Sequence, residues 1–420
     1  MVSRRLFAPG ANAIGKSFAM DGFVALSEIH IAPEPEHDGR GELAVMLTGG
    51  GARAAYQVGL LLGLARHFPD LKFDIITGVS AGAINAVFLA THEGTLAEKA
   101  AKLHDLWAEL QCEHVFRPNY AAALPFRSAM KAILPKRLSR RPHGLFNAAP
   151  LATLLRRVLN CPYRGMPIQG IRHNLAQGDL QSIALITLDY STGQNVRWVQ
   201  GRGSDLFEGP NRRAELTDIT VEHVLASAAL PFVFPAVRIG NQWHGDGGIR
   251  LSAPLSSAVH LGARRIIAMS TGYQRTADEA NTPVVEGYPP AAQIIGQLVN
   301  AVFLDVIDED VLRMERMNEM IRKLDPADRN GFKPIDLLVL RPSRDLAKLA
   351  LGFEKYLPTS IKLFTRALGA RETESPDFVS MLMFEPHYTK VLIETGMEDV
   401  DGRADELRAF LGYERVAAAV

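Results

Sequence analysis

Cysteine is almost absent from this chain: its 420 residues hold two, Cys112 and Cys161, in no CxxC or metal-ligand spacing. That argues against a disulfide framework and is compatible with a reducing compartment. Net charge is absent too, since 46 basic residues balance 46 acidic ones. No whole-molecule polyelectrolyte behaviour is therefore expected, and for want of any binding motif no nucleic-acid partner is expected either. No run of about 18 apolar residues occurs, so no membrane span is expected. Residues 1–20 include Arg4 and Arg5 but lack the uninterrupted apolar core of a signal peptide. Repeats and low-complexity tracts are missing as well. What is present is the composition of a globular chain, 47% hydrophobic and 22% charged, long enough to bury a sizeable core. A cytoplasmic location is the expectation, with peripheral contact at a membrane surface.

Three regions are expected. Residues 1–41, mixed and rich in Gly and Pro, read as an N-terminal arm; residues 42–275 form the main domain; residues 276–420 form a mainly helical C-terminal region. The rhythm of the main domain begins with the apolar run LAVMLT (43–48), then three glycines, then a helical stretch from 52 to about 68 stopped by Pro69. FDIIT (73–77) and AGAINAVFLATH (81–92) repeat strand and helix. Alternation with short turns implies an α/β fold, a mostly parallel central sheet flanked by helices. Residues 115–180 read as a basic helical cap inserted in it. Runs 182–190, 196–200 and 264–270 return to strand character, and 236–244 reads as a hairpin turning at Gly240-Asn241. One later run, IDLLVL (335–340), is strand-like.

Gly78-Val79-Ser80-Ala81-Gly82 fits GxSxG between a strand and a helix, the context that a nucleophile elbow needs. The residues two before and two after the serine approach each other, so glycine suits Gly78 and Gly82. A tight turn with a capping serine is the plain alternative, and the flanking strand and helix weigh against it. Gly49-Gly50-Gly51-Ala52-Arg53 ends the first strand and opens a helix. Successive glycine N–H groups there can hold a phosphate or the oxyanion of an acyl transfer. A dinucleotide site would want an acidic residue ending the second strand. That strand ends in ITGVS instead, so the oxyanion reading is preferred, with Gly49, Gly50, Gly51 and Arg53 in the loop.

Acyl transfer also needs a base for the Ser80 hydroxyl. His260 and His387 lie downstream, but His260 falls within a helical run and neither sits on an evident strand-to-loop junction. Asp246, in His244-Gly245-Asp246-Gly247-Gly248, directly follows a hairpin strand. Gly247 and Gly248 let the chain turn tightly and bring that carboxylate against another loop. Partial burial beside Ser80 raises a carboxylate's pKa and makes direct proton abstraction feasible.

In this order the three motifs resemble the patatin-like phospholipase family, which combines a glycine-rich oxyanion loop, a GxSxG elbow and a DGG or DGA motif. The stretch Ala226-Ser227-Ala228-Ala229-Leu230-Pro231 is similar to the family's Ser-Ala-x-x-Pro segment, and Gly144-Leu145-Phe146 with Pro150-Leu151 to one in its bacterial members. The likeness spans about 43–270; it departs where Ala54, not glycine, follows Arg53. It implies hydrolysis of lipid or phospholipid acyl esters by a Ser80–Asp246 dyad without histidine, cofactor or metal. Two other readings stay open: an α/β-hydrolase with a histidine base, and a non-catalytic lipid-binding scaffold on the same fold.

Some features stand outside that scheme. Gly10-Ala11-Asn12-Ala13-Ile14-Gly15-Lys16-Ser17 matches GxxxxGK[ST], but no apolar strand precedes it and Gly22 interrupts the next stretch, so nucleotide binding is not expected. Asp308-Glu309-Asp310 lacks calcium-loop spacing and reads as a solvated helix end. The apolar stretch 291–307 could line an acyl-chain channel or serve as a core helix. Between Glu113 and Asp179 there is no acidic residue, while eleven Lys and Arg occur. Pro125 to Leu134 places Phe126, Met130 and Ile133 on one helical face, an interfacial pattern. Lys136, Arg137, Arg140 and Arg141 are expected to contact anionic membrane, each contributing about 1 kcal/mol near such a surface; a solvated basic helical face and docking on the acidic remainder of the chain are the alternatives. Vesicle co-sedimentation should rise with anionic lipid and fall with salt, and should weaken when these four residues become Gln. Equal binding to neutral vesicles contradicts that expectation.

Overall fold

Short, mostly apolar runs form the centre of the molecule, because strands covered on both faces have little solvent side to keep polar. In the computed structural model, the described residues are 42–119, 144–202, 208–282 and 306–413, without 360 and 363–376, plus 288, 294, 296–298, 300 and 301. The expected N-terminal arm, the GxxxxGKS match, the interfacial 125–134 stretch and Lys136, Arg137, Arg140 and Arg141 lie outside the described residues.

The strands are β1 (Leu43–Leu47), β2 (Ile75–Val79), the two-residue β3 (Arg117–Pro118) and β4 (Phe146–Asn147), β5 (Ser182–Asp189), β6 (Asn195–Gly201), β7 (Arg212–Leu216), β8 (Val237–Ile239), β9 (Gln242–Asp246), β10 (Arg265–Met269) and β11 (Asp336–Leu340). The main sheet runs β11-β10-β1-β2-β5-β6-β7, with β9 pairing to β5 and β8. From β11 to β5 neighbouring strands are parallel, while β6 and β9 lie antiparallel to β5. This is the mostly parallel α/β sheet that the alternating pattern implies, and the hairpin expected at Gly240-Asn241 is β8–β9.

Register sets which side chains face which layer. On β5, Ile183 and Leu185 join one core cluster and Ala184 the other, as alternation requires. The first cluster holds the helices α1 (Ala55–His67), α2 (Ala81–Thr91) and α3 (Leu96–Ala108). The second holds Leu255, Ala258 and Ile307. Residues late in the chain enter both: β11 extends the sheet next to β10, and the helix Pro386–Gly402 packs on α1.

One sequence expectation needs correction. Asp308-Glu309-Asp310 is not simply solvated: Asp310 is buried and accepts the Leu255 N–H at 2.8 Å, and Asp308 pairs with Arg341. Among described residues, the 291–307 stretch has Ile294 and Leu298 exposed, while Ile307 packs in the second cluster. None of these described residues lines the pocket at Ser80, and the rest of the stretch lies largely outside the described residues.

Glycines let α1 and the Pro386–Gly402 helix touch along their backbones. A Cβ at Gly59 would overlap the Ile393 carbonyl and lie 3.0 Å from the Gly396 Cα. An ordinary mid-helix Gly→Ala change stabilises by about 0.5–1 kcal/mol. Here Gly59→Ala is expected to destabilise instead, by about 1–3 kcal/mol, because the helices must part. Urea unfolding measures it, and an unchanged midpoint would refute this close packing.

Candidate active site

Parallel strands present their carboxyl ends along one edge of a sheet, and the loops there are the natural place for a site. Three such ends lie side by side here: Gly49-Gly50-Gly51 follows β1, Ser80 follows β2, and Thr271 follows β10. The β1 loop crosses directly over the serine. A Cβ on Gly49 would lie 2.9 Å from the Ser80 Cβ and 3.4 Å from its Oγ.

Ser80 has φ 56 and ψ −130. A non-glycine residue held there stores about 1–3 kcal/mol of strain. The turn accommodates it because Gly78 and Gly82 have no side chain: a Cβ on Gly78 would come within 2.7 Å of the Gly82 carbonyl, and one on Gly82 would overlap the Leu47 and Thr48 carbonyls. The Ser80 N–H donates to Ser227 Oγ at 3.0 Å, and the Ser227 hydroxyl donates to the Ile186 carbonyl at 2.7 Å. Ser227 lies in the Ser-Ala-x-x-Pro stretch, but no local pattern in the sequence marks this role.

The loop over Ser80 is held from behind. The Thr271 hydroxyl donates to the Gly49 carbonyl at 2.5 Å. Gly50 and Gly51 take φ 144 and φ 58, and the N–H groups of both make no hydrogen bond to a described residue. Arg53 is buried; its Nε donates to Ser380 Oγ at 2.7 Å and its Nη2 meets Asp377 Oδ1 at 2.8 Å. A buried amide chain lies beneath: Trp107 Nε1 donates to Asn85 Oδ1, Asn85 Nδ2 to Gln57 Oε1, and Gln57 Nε2 to the Thr48 and Met269 carbonyls. Thr271, Ser380 and this chain are further residues that the sequence reading does not find.

Asp246 closes β9. Its N–H donates to the Ala229 carbonyl at 3.1 Å, and its Oδ1 accepts the Gly248 N–H at 2.9 Å. Gly247 packs on the Ile186 backbone with no room for a side chain. The carboxyl is fully buried, and burial pushes its pKa up to about 7, against the opposing pull of the Ser80 side chain and the Gly248 N–H. Ser80 is thus an electrostatic neighbour of Asp246. Oδ2 nevertheless has no partner at full hydrogen-bond geometry, so the contact is a loose one. His260 ends the short helix Ser256–His260, and His387 stacks on Tyr356 at 4.0 Å between ring centroids.

An apolar pocket of about 700 Å³, counting space open to solvent, starts at Ser80 and Gly51. Ala81, Ile84, Leu106, Trp107, Leu110, Val115, Leu151, Leu154, Leu155, Ala228, Leu230, Phe234, Met381, Leu382 and Phe384 complete its lining; His260 and His387 are not part of it. The Leu145 and Phe146 N–H groups donate to the Phe232 and Val233 carbonyls at 2.9 Å, which joins the 144–151 segment to the 226–235 stretch. Among the described residues, no group of three His, Cys, Asp or Glu is placed to hold a metal, and no helix is long and apolar enough to cross a membrane.

The sequence profile of the family described as patatin-like phospholipase matches residues 45–259, about half of the chain. No curated protein matches. Among solved structures, the human GIVD cytosolic phospholipase A2 is 12% identical over 89% of this chain and 61% of its own, with TM-score 0.40. VipD from Legionella pneumophila is 13% identical over 82% of this chain and 67% of its own, with TM-score 0.33. ExoU of the Pseudomonas aeruginosa type III secretion system, crystallised with SpcU, is 16% identical over 86% and 52%, with TM-score 0.30. The chain thus spans less than two thirds of the length of the human enzyme.

The buried carboxyl generates a prediction independent of any reaction. A carboxyl whose folded pKa is raised from 3.8 to about 7 contributes stability below about pH 4 and loses it as pH rises through about 7. Asp246→Asn removes that titration. Its thermal midpoint should gain on the wild type between about pH 4 and 8, with a ceiling of roughly 4 kcal/mol at 1.36 kcal/mol per unit. A pH-independent difference would show that the carboxyl is solvated.

Proposed function

Because the chain belongs to the patatin-like phospholipase family, we propose that it is a lipid acyl hydrolase in which Ser80 is the nucleophile and Asp246 its base. One observation carries this reading: a fully buried carboxyl of pKa about 7 faces a strained serine at the mouth of an apolar pocket. A carboxylate of ordinary pKa is too weak a base for a hydroxyl, whereas one raised near neutrality is matched to proton transfer at working pH.

In the proposed reaction the ester carbonyl carbon sits above Ser80 Oγ with the acyl chain in the pocket. Oγ attacks, its proton passes to Asp246, and the carbonyl electrons move onto oxygen. The Gly50 and Gly51 N–H groups, aided by the start of α2, hold that oxyanion; one such donor contributes about 10²–10³ in rate. Collapse expels the alcohol, which takes the proton from Asp246. Water then attacks the acyl-enzyme, giving its proton to Asp246 as Ser80 regains one, and a fatty acid leaves. Arg53 acts through position, fixing the glycine loop against Asp377 and Ser380. A histidine base finds less support, since neither candidate lines the pocket.

Hydrolysis of decanoyl and acetyl chromogenic esters tests the proposal. The decanoyl ester should be the better substrate, and kcat/KM should rise with pH through about 7 as Asp246 loses its proton. Ser80→Ala should leave background activity, Asp246→Ala should cost about 10²–10⁴-fold, and His260→Ala and His387→Ala should keep the wild-type rate. Activity that survives Asp246→Ala but not a histidine change would replace the dyad with a histidine base.

A further inference from the structure

A second cleft lies away from Ser80 and shares no lining residue with the apolar pocket. It lies between strands β5, β6 and β7 and the segment 250–257, with a volume of about 930 Å³ counting space open to solvent. Ile186 and Arg197 reach it from the sheet face that also carries Ala184 and Val199, opposite the face that packs on α1 and α2. Four arginines line it, Arg197, Arg212, Arg213 and Arg250, and no aspartate or glutamate is among its described lining residues.

The arginines differ in how their charge is met. Arg213 pairs with Asp189 at 3.1 Å and Glu215 at 2.8 Å. Arg197 instead donates Nε to Ser257 Oγ at 3.0 Å and Nη2 to Ser256 Oγ at 3.3 Å. Hydroxyls satisfy its hydrogen bonds, and among the described residues no carboxylate pairs with it. Burial, and then the Arg212 charge, push Arg197 down to about 10. Arg250 donates to the Gly193 carbonyl at 2.7 Å and to Asn211 Oδ1 at 2.8 Å, again neutral acceptors. A desolvated cation without a nearby counter-charge is costly, and an anion in the cleft relieves that cost at Arg197, while the exposed Arg250 adds a second positive charge to hold it.

We propose that this cleft binds a phosphate-bearing anion between Arg197 and Arg250, with Ser256, Ser257 and Asn211 alongside. Two guanidinium forks from separate elements, with hydroxyl donors, suit a tetrahedral dianion, whose several oxygens can accept from both forks at once. A planar carboxylate engages one fork. A free phosphate compound and a phosphomonoester lipid headgroup share this chemistry.

Calorimetric titration of the full chain with inorganic pyrophosphate, and separately with soluble dibutyryl phosphatidic acid, tests the site. Sodium acetate at equal ionic strength is the control. The expected result is saturable binding of at least one phosphate probe and none of acetate. Arg197→Gln and Arg250→Gln should each bind about tenfold more weakly, while Arg157→Gln, on the exposed side of another helix, binds as wild type. Arg250 is exposed, so its variant remains informative even if Arg197→Gln fails to fold. Tighter pyrophosphate binding identifies a free anion, and tighter phosphatidic acid binding a headgroup. Failure of both probes, equal binding of acetate, or wild-type affinity in Arg250→Gln overturns the proposal.

Discussion

The backbone of Ser80, held at φ 56, is the constraint on which the rest of the site depends. An isolated chain would relax such a residue to a negative φ, so the conformation persists only where its surroundings over-determine it. Those surroundings are mostly backbone. The Leu47 and Thr48 carbonyls press on Gly82, Gly49 passes over the serine, and Ser227 binds its N–H. The parallel pairing of β1 with β2 brings the first two into place, and β5 supplies the Ile186 carbonyl that orients Ser227. Sheet order therefore decides whether the serine can be presented at all.

Electrostatics at Asp246 depend on the same packing. Behind it, His244 and His223 are buried, and burial lowers the pKa of both, His223 to about 4. Asp189, also buried, is held ionised by the Ser191 N–H, Arg213 and Thr192. The neutral imidazoles give Asp246 no cation to lower its pKa, and the ionised Asp189 carboxylate is already paired. Desolvation therefore dominates the carboxyl, opposed only by Ser80 and Gly248.

Residues far beyond the matched 45–259 segment complete the site. Asp377 and Ser380 receive Arg53, the Met381 carbonyl backs Gly51 where a Cβ would overlap it, and Met381, Leu382 and Phe384 line the apolar pocket. The Gly59 and Gly396 contact seats the Pro386–Gly402 helix that comes after this segment. The late part of the chain is thus a wall of the pocket as well as a flank of the core. Burying each large apolar side chain there stabilises by about 1.5–3 kcal/mol, so pocket and fold are held by the same contacts.

The sequence by itself determined the features whose causes are local. The short apolar run at 43–47 and the strand-like run at 264–270 with its apolar centre Ile266–Met269 pair as strands, the glycines at 78 and 82 allow one sharp turn, and Gly240-Asn241 turns a hairpin. Each depends on residues a few positions apart, and periodicity and turn chemistry read that range. Tertiary structure alone decided the rest. Ser80 meets Ser227 across 147 positions, Gly49 meets Thr271 across 222, and Arg53 meets Ser380 across 327. No local pattern encodes such pairs. The same limit explains why Asp310 looked like a solvated acid: charge is written in the sequence, but which surface covers it is set by how distant segments pack.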